Sequence, residues 1–437
     1  MEPVSRRRRP LQLLPFRALR YSADVVPDLA SVTCPPYDVI GEGGVSVWEA
    51  ADPHNVVRLI LPRGGPHEDR YAHAARDLRA WLAGGVLQVD AEPALFVYEQ
   101  VGAGGTALGL VGAVSLHEPD EGVVLPHEDV FPEPVADRTE LMAATGAQFE
   151  PILLTYGGGG RASATVEATR ESEAALVAET ADGSRHRIWR LTNPETIADI
   201  RADLADRQAL IADGHHRYAA YRALRDRSRP GPLQPGAQHG LAMLVDADRH
   251  PLRLASIHRS VTGLPLSDVA TAAATEFRSV TSVPTGLEPW SALAEAAHRD
   301  GPAFILSDGE QSILLRDPIP ERFDASLPAG RSPVWRGLDA TIACEFVLPR
   351  LCGVVDADRR VAYHHDARAA VARARSTGGV ALLLNPPRHA DVVAVASAGE
   401  RMPRKSTSFG PKPRTGLVMR LLTNRGQISL EPTAERR

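Results

Sequence analysis

The stretch Ile211-Ala212-Asp213-Gly214-His215-His216-Arg217-Tyr218-Ala219-Ala220-Tyr221-Arg222-Ala223-Leu224 reads as a buried strand running straight into a helix. The apolar run Ala209 to Ala212 suits a central strand, and Tyr218, Ala220, Tyr221 and Leu224 recur at helical spacing. Gly214 lets the backbone turn and leaves room for a ligand against the main chain. A helix that begins here aims free N–H groups and the positive end of its dipole at the strand end, where α/β folds bind anions. Arg217 sets a cation in the first turn, against the dipole, and an anion would offset that conflict. The turn therefore reads as a phosphate cradle with Arg217 as a bidentate clamp. Two other readings stand beside it: a structural junction with solvated histidines, and a zinc site. Zinc is the poorer fit, because His215 and His216 lie about 100° apart on a helix whereas paired ligands share one face.

Outward from the turn, the bulk numbers bound the answer. The chain has 437 residues, 43% hydrophobic and 24% charged, an ordinary globular composition long enough for two or three domains. The formal net charge of −5 gives no global attraction to nucleic acid or anionic membrane, so an anion site must be local. Cys34, Cys344 and Cys352 show neither metal spacing nor a secreted framework, which predicts reduced, buried thiols in a cytoplasmic protein. The tetra-arginine Arg6 to Arg9 precedes a short apolar piece broken by Pro15, a solvated arm and no signal peptide. No apolar run approaches the length that crosses a bilayer.

The pattern predicts a mixed α/β chain in three parts: an amino-terminal α/β unit over 1–116, a phosphate-binding core over 117–262, and a carboxy-terminal α/β unit over 263–437. In the first, Cys34-Pro35-Pro36-Tyr37-Asp38 places Asp38 at a turn, as a ligand group or a turn cap. Asn55 to Leu61 reads as a strand, Asp69 to Leu82 as an amphipathic helix, and Ala94 to Gln100 and Leu108 to Leu116 as paired strands. In the core, Pro126-His127-Glu128 precedes a helix over about 137–145, so Glu128 is either a cap or a base. A strand over 151–156, helices near 164–177 and 195–207, and strands over 241–245 and 252–257 follow. Gly157 to Gly160 lacks the Lys-Ser/Thr of a Walker A loop and reads as a flexible turn. Near the carboxy end, Gly399 to Arg414 carries five cations and three hydroxyls in an acidic chain, with a strand expected at Gly416 to Met419. Arg404, Lys405, Ser406 and Thr407 are the donor set a phosphate wants, and a solvated basic tail is the alternative.

These residues give a resemblance. Pro35 to Ile40, Asn55 to Leu59, Pro126-His127-Glu128, Asp137-Arg138, Ile211 to Tyr218, His258-Arg259 and Glu400 to Thr407 resemble the family called domain of unknown function 1015. The order His127-Glu128, Arg138, Pro151-Ile152, then Asp213 to Arg217 is similar to the ParB and sulfiredoxin superfamily, nearest its free serine kinase branch. That resemblance implies a nucleotide-dependent phosphotransferase, using ATP or ADP with Mg²⁺, acting on the hydroxyl of a small metabolite such as free L-serine. It implies Glu128 as the proton acceptor and Asp213 as the Mg²⁺ carrier. It further implies that His215 steadies the transferring group, while Gly214, His216 and Arg217 bind phosphate. His216 stands where that branch has Thr. A sulfiredoxin-like reductase needs a cysteine at the place held by His215, so that reading fails. A ParB-like module would need a basic helix-turn-helix, against which the acidic balance argues, and nucleotide binding without catalysis is the remaining rival.

Overall fold

Near-continuous apolar runs, buried on both faces, build the largest sheet. Leu95–Gly102 and Gly105–Ser115 pair antiparallel from Phe96 against Val111 to Gly102 against Gly105, the hairpin expected from the two apolar runs. The computed structural model describes residues 9–41, 43–64, 69–227, 235–297 and 301–422. Arg6 to Arg8 of the basic arm and residues 228–234 lie outside the described residues. The chain is a mixed α/β protein, and its contacts divide it into two compact units. The first comprises Met1–Leu125, Val130–Arg253 and Gly410–Arg437; the second comprises Pro126–Asp129 and Leu254–Phe409.

In the first unit, the strand Ala209–Asp213 lies parallel to Val124–Leu125 and antiparallel to Ile152–Tyr156, which runs parallel to His239–Asp246. Beyond that strand the hairpin and Arg185–Leu191 continue the sheet to an edge at Leu176–Glu179. Ile152, Leu154, Ile211, Tyr218, Tyr221 and Leu244 pack in one core beneath it. A smaller sheet joins Ala18–Tyr21 to Leu87–Val89 and Met419–Leu421. Its core includes Trp81 of the helix Arg70–Ala83, which Asp69 caps by accepting from the amides of Tyr71 and Ala72. In the second unit, Ala303–Ser307, Val380–Leu384 and His258–Val261 are neighbours in a sheet whose Phe304 and Leu382 pack in one core with Phe346.

Several local expectations need correcting. Asn55 to Leu61 is no strand: Val57–Ile60 is a helical turn, because the Asn55 carboxamide accepts from Val57 N at 3.0 Å and donates to Ser31 O at 2.7 Å. That side chain offers the backbone a helical partner, and β-branched content alone does not outweigh it. The helix near 164–177 is Gly160–Arg170, ahead of the edge strand. The strand expected over 252–257 is Arg253–Ala255, a separate strand begins at His258-Arg259, and the one expected at Gly416 to Met419 is Met419–Leu421. Gly157 to Gly160 is held, not loose: Gly158 N and Gly159 N donate to Asp248 and Asp246, and Ala162 N donates to Asp203. Carboxylates thus take the amides that a phosphate loop would offer. The three cysteines are free and buried. Among the described residues, no helix is long and apolar enough to cross a membrane.

Burial also decides the state of three histidines. It lowers His186, His239 and His258 from 6.5 to about 4, helped by Arg414, Arg420 and Arg259 respectively. A depressed histidine contributes stability that is complete above the unfolded value and lost as pH falls toward the folded one. Imidazole NMR of the native protein is expected to show these three rings neutral from pH 7 to pH 5. A ring titrating near 6.5 would show its environment to be open to water.

Candidate functional site

The strand–helix turn is shaped by its backbone before any side chain acts. The register between Ala209–Asp213 and Ile152–Tyr156 is irregular between Ile211 and Asp213, a device that re-aims a strand's last side chain. Gly214 then takes φ +94°, and a Cβ there would sit 2.8 Å from Ile152 Cγ2 and 3.2 Å from Arg217 Nε. Only glycine fits both the dihedral and the space. The helix His215–Arg227 follows at once, as the periodicity predicts.

Asp213 is the focus of the turn. Its Oδ2 accepts from Arg217 Nη2 at 2.6 Å, and its Oδ1 meets Lys412 Nζ at 2.5 Å. The same ammonium lies 2.9 Å from Asp38 Oδ2, so Asp38 and Asp213 converge on one cation. Arg217 is buried, and its Nη1 donates to Pro151 O at 2.9 Å. Both terminal nitrogens are thus engaged within the protein, and the fork faces the strand end. Its Nε is buried with no hydrogen-bond partner among the described residues. Burial works against the Arg217 charge, but Glu150, Asp213 and Asp38 outweigh it and hold the guanidinium far above its usual range. Lys412 follows the same logic: burial disfavours its charge, and Asp213 and Asp38 more than restore it.

A layer of supports surrounds this pair. Burial raises the Glu150 carboxyl, Arg217 and Arg138 pull it back, and it accepts Tyr37 N at 2.8 Å. The Tyr37 ring carries Arg138 at 4.5 Å and Arg217 at 5.9 Å from its centroid. His216 accepts Phe131 N at 3.0 Å through Nε2 and stacks on the Phe131 ring at 6.0 Å. An accepting Nε2 makes that imidazole neutral with its proton on Nδ1. His215 is half-buried in the first turn.

Glu128 belongs to the second unit, and its surroundings differ from the expectation of a helix cap. The helix Pro132–Thr145 is preceded by Phe131 with no side-chain cap. Glu128 Oε1 instead accepts Ser406 N at 3.1 Å, Thr407 N at 3.2 Å and Thr407 Oγ1 at 3.1 Å. Lys405 takes the left-handed conformation, φ +57°, that turns these two amides toward the carboxylate. The basic loop is therefore held by a fold, with Ser406 and Thr407 given to Glu128. Burial raises the Glu128 carboxyl, and Thr407, Ser406 and the charge of Lys405 pull it down. The Arg404 carbonyl accepts from Arg259 at 3.4 Å.

Sequence reasoning singled out Asp213, Gly214 and Arg217, and the structure brings them together. It missed Lys412, Glu150 and Tyr37 as partners of the turn. The signal for Lys412 lay within the quoted basic stretch, but nothing local distinguishes it from the other four cations there. Among the described residues, no group of three or more His, Cys, Asp or Glu is placed to hold a metal ion.

Comparison with known proteins gives one broad result and several distant ones. The family model DUF1015, described as protein of unknown function, matches residues 13–341. No curated protein matches the chain. Among solved structures, free serine kinase in complex with AMP is similar at 16% identity and TM-score 0.34, over 67% of this chain and 86% of that one. SbnI with C-terminal truncation, from Staphylococcus aureus, is similar at 14% identity and TM-score 0.36, over 71% and 87%. A conserved hypothetical protein from Pyrococcus furiosus has 16% identity and TM-score 0.33, over 67% and 89%.

Because Arg217 neutralises buried carboxylates and ties down the Pro151 carbonyl, Arg217→Ala is expected to lower the unfolding free energy by about 3–5 kcal/mol, the cost of breaking a buried pair from one side. Arg217→Lys should recover only part, since an ammonium cannot span both acceptors. Urea denaturation measures both; a loss under about 1 kcal/mol for Ala would show that water reaches the pair.

Proposed function

This chain belongs to the DUF1015 family, and from its strand–helix turn we propose a nucleotide-dependent phosphotransferase that acts on the hydroxyl of a small metabolite, with free L-serine the first acceptor to test. The observation that carries the reading is the turn itself, a glycine at φ +94° between the end of a buried strand and the start of the helix His215–Arg227, with Arg217 in the first turn. Arg217 Nε beside it is a buried donor with no hydrogen-bond partner among the described residues, and such donors are rare. The amides at the start of His215–Arg227 add donors, and the helix dipole favours a negative ligand there.

Phosphoryl transfer asks a protein to place the donor, neutralise charge and orient a hydroxyl. The turn would place phosphate through Gly214, His215, His216 and Arg217. Asp213 supplies the hard oxygen donor that Mg²⁺ takes, with Lys412 already on its Oδ1. Mg²⁺, when bound, would neutralise charge on the nucleotide phosphates. Glu128 takes the hydroxyl proton; this role comes from its resemblance to the serine kinase branch and from a carboxyl that burial holds above the ordinary range.

Phosphorus NMR of the purified protein with Mg²⁺, ATP or ADP and a panel of hydroxylated amino acids tests the reading. A new phosphoester signal is expected, and Glu128→Gln should keep nucleotide affinity, read by calorimetry, while lowering turnover by on the order of 10²–10⁴. Absence of binding to any nucleotide would end the proposal. Binding with an unchanged spectrum would leave a regulatory nucleotide-binding module, a reading favoured by the three donors that already occupy Glu128 Oε1.

A further inference from the structure

The Glu128 carboxylate is gripped from one side by a chain of contacts that reaches a buried histidine. Thr407 Oγ1 lies 2.8 Å from His127 Nε2 and 3.1 Å from Glu128 Oε1. His127 and Glu128 themselves are 3.9 Å apart, too far for a direct hydrogen bond, so the hydroxyl is the link. The His127 side chain is fully buried. Its ring packs edge-on against Phe409 at 5.9 Å, and its carbonyl accepts Met402 N at 2.8 Å. The histidine therefore has one place to stand, and Thr407 is fixed in turn by its own amide on Oε1.

From this geometry we infer that Thr407 is a positioning residue: its hydroxyl joins His127 to Glu128 and fixes the carboxylate's orientation for proton transfer. A hydroxyl has one proton to give and lone pairs to receive. With that proton on Glu128 Oε1, the His127 Nε2–H donates to Thr407 Oγ1, and the direction of the chain is set from histidine through threonine to carboxylate. Oε1 then holds three donors, so a proton leaving an acceptor hydroxyl is taken by Oε2. No proton need pass along the chain; the link stabilises the ionised carboxylate and stops it rotating. The role rests on Glu128 being the base proposed above.

The test separates the two ideas. Glutamate carboxyl carbons are labelled, the Glu128 signal is assigned by its loss in Glu128→Gln, and its titration is followed in the wild type, Thr407→Val and Thr407→Ser. The Val protein is expected to titrate at higher pH and the Ser protein like the wild type, because a charge-assisted hydrogen bond to the ionised form is lost only in the first. Turnover should fall on the order of tenfold in Val with KM unchanged, and Ser should restore it. Should Val not fold, Thr407→Ala removes the same hydroxyl without the bulk. Superimposable titrations in the wild type and the hydroxyl-less variants would overturn the positioning role. A wild type that transfers no phosphoryl group would overturn the function while the titrations still decide whether Thr407 governs the carboxylate.

Discussion

The contact between Asp213 and Arg217 governs the first unit's chemistry. A carboxylate at the end of a buried strand is costly to strip of water, and a guanidinium four residues on, one helical turn away, is the nearest partner the backbone can provide. Yet the guanidinium then needs its own compensation, which Glu150, Asp38 and the Pro151 carbonyl supply. Lys412 completes the arrangement by sharing Asp213 with Asp38. Replacing such a set with apolar residues would commonly be neutral or stabilising. Retaining buried charges around a glycine-only turn therefore has no reason in stability alone.

Much of this turn is legible in the sequence because the constraints are local. An apolar run, a glycine and a helical period lie within fourteen consecutive residues, so the strand, the turn and the helix follow directly. The orientation of Arg217 is not legible. A cation in a first turn suggests an outward clamp, whereas the carbonyl of Pro151 and the carboxylate of Asp213 draw it inward. Lys412 is invisible for a different reason: its partner Asp38 lies 374 residues away, and no periodicity encodes a contact at that separation. Asn55 shows a third kind of failure, where one side-chain amide overrides the strand preference of the valines and leucines beside it.

In the second unit, the basic loop's composition suggests a phosphate shell, but its backbone serves a carboxylate. The left-handed Lys405 makes Ser406 N and Thr407 N point the same way, the arrangement by which short loops hold anions. Here Glu128 is that anion. Donor chemistry can be read from residue types; the identity of the acceptor depends on which side chain the fold delivers.

The return of the chain to its first unit after Phe409 has a consequence for how the protein is made. Met419–Leu421 is a strand in the sheet of Ala18–Tyr21, and Lys412 belongs to the turn at Asp213, so neither can form until the chain beyond Phe409 has been made. Domains usually fold in order as they emerge. This unit must instead wait while Leu254–Phe409 is synthesised, holding an unpaired strand edge and an Asp213 that has Arg217 but lacks Lys412 in the meantime. Its folding thus includes a period of exposure set by the order of its segments along the chain.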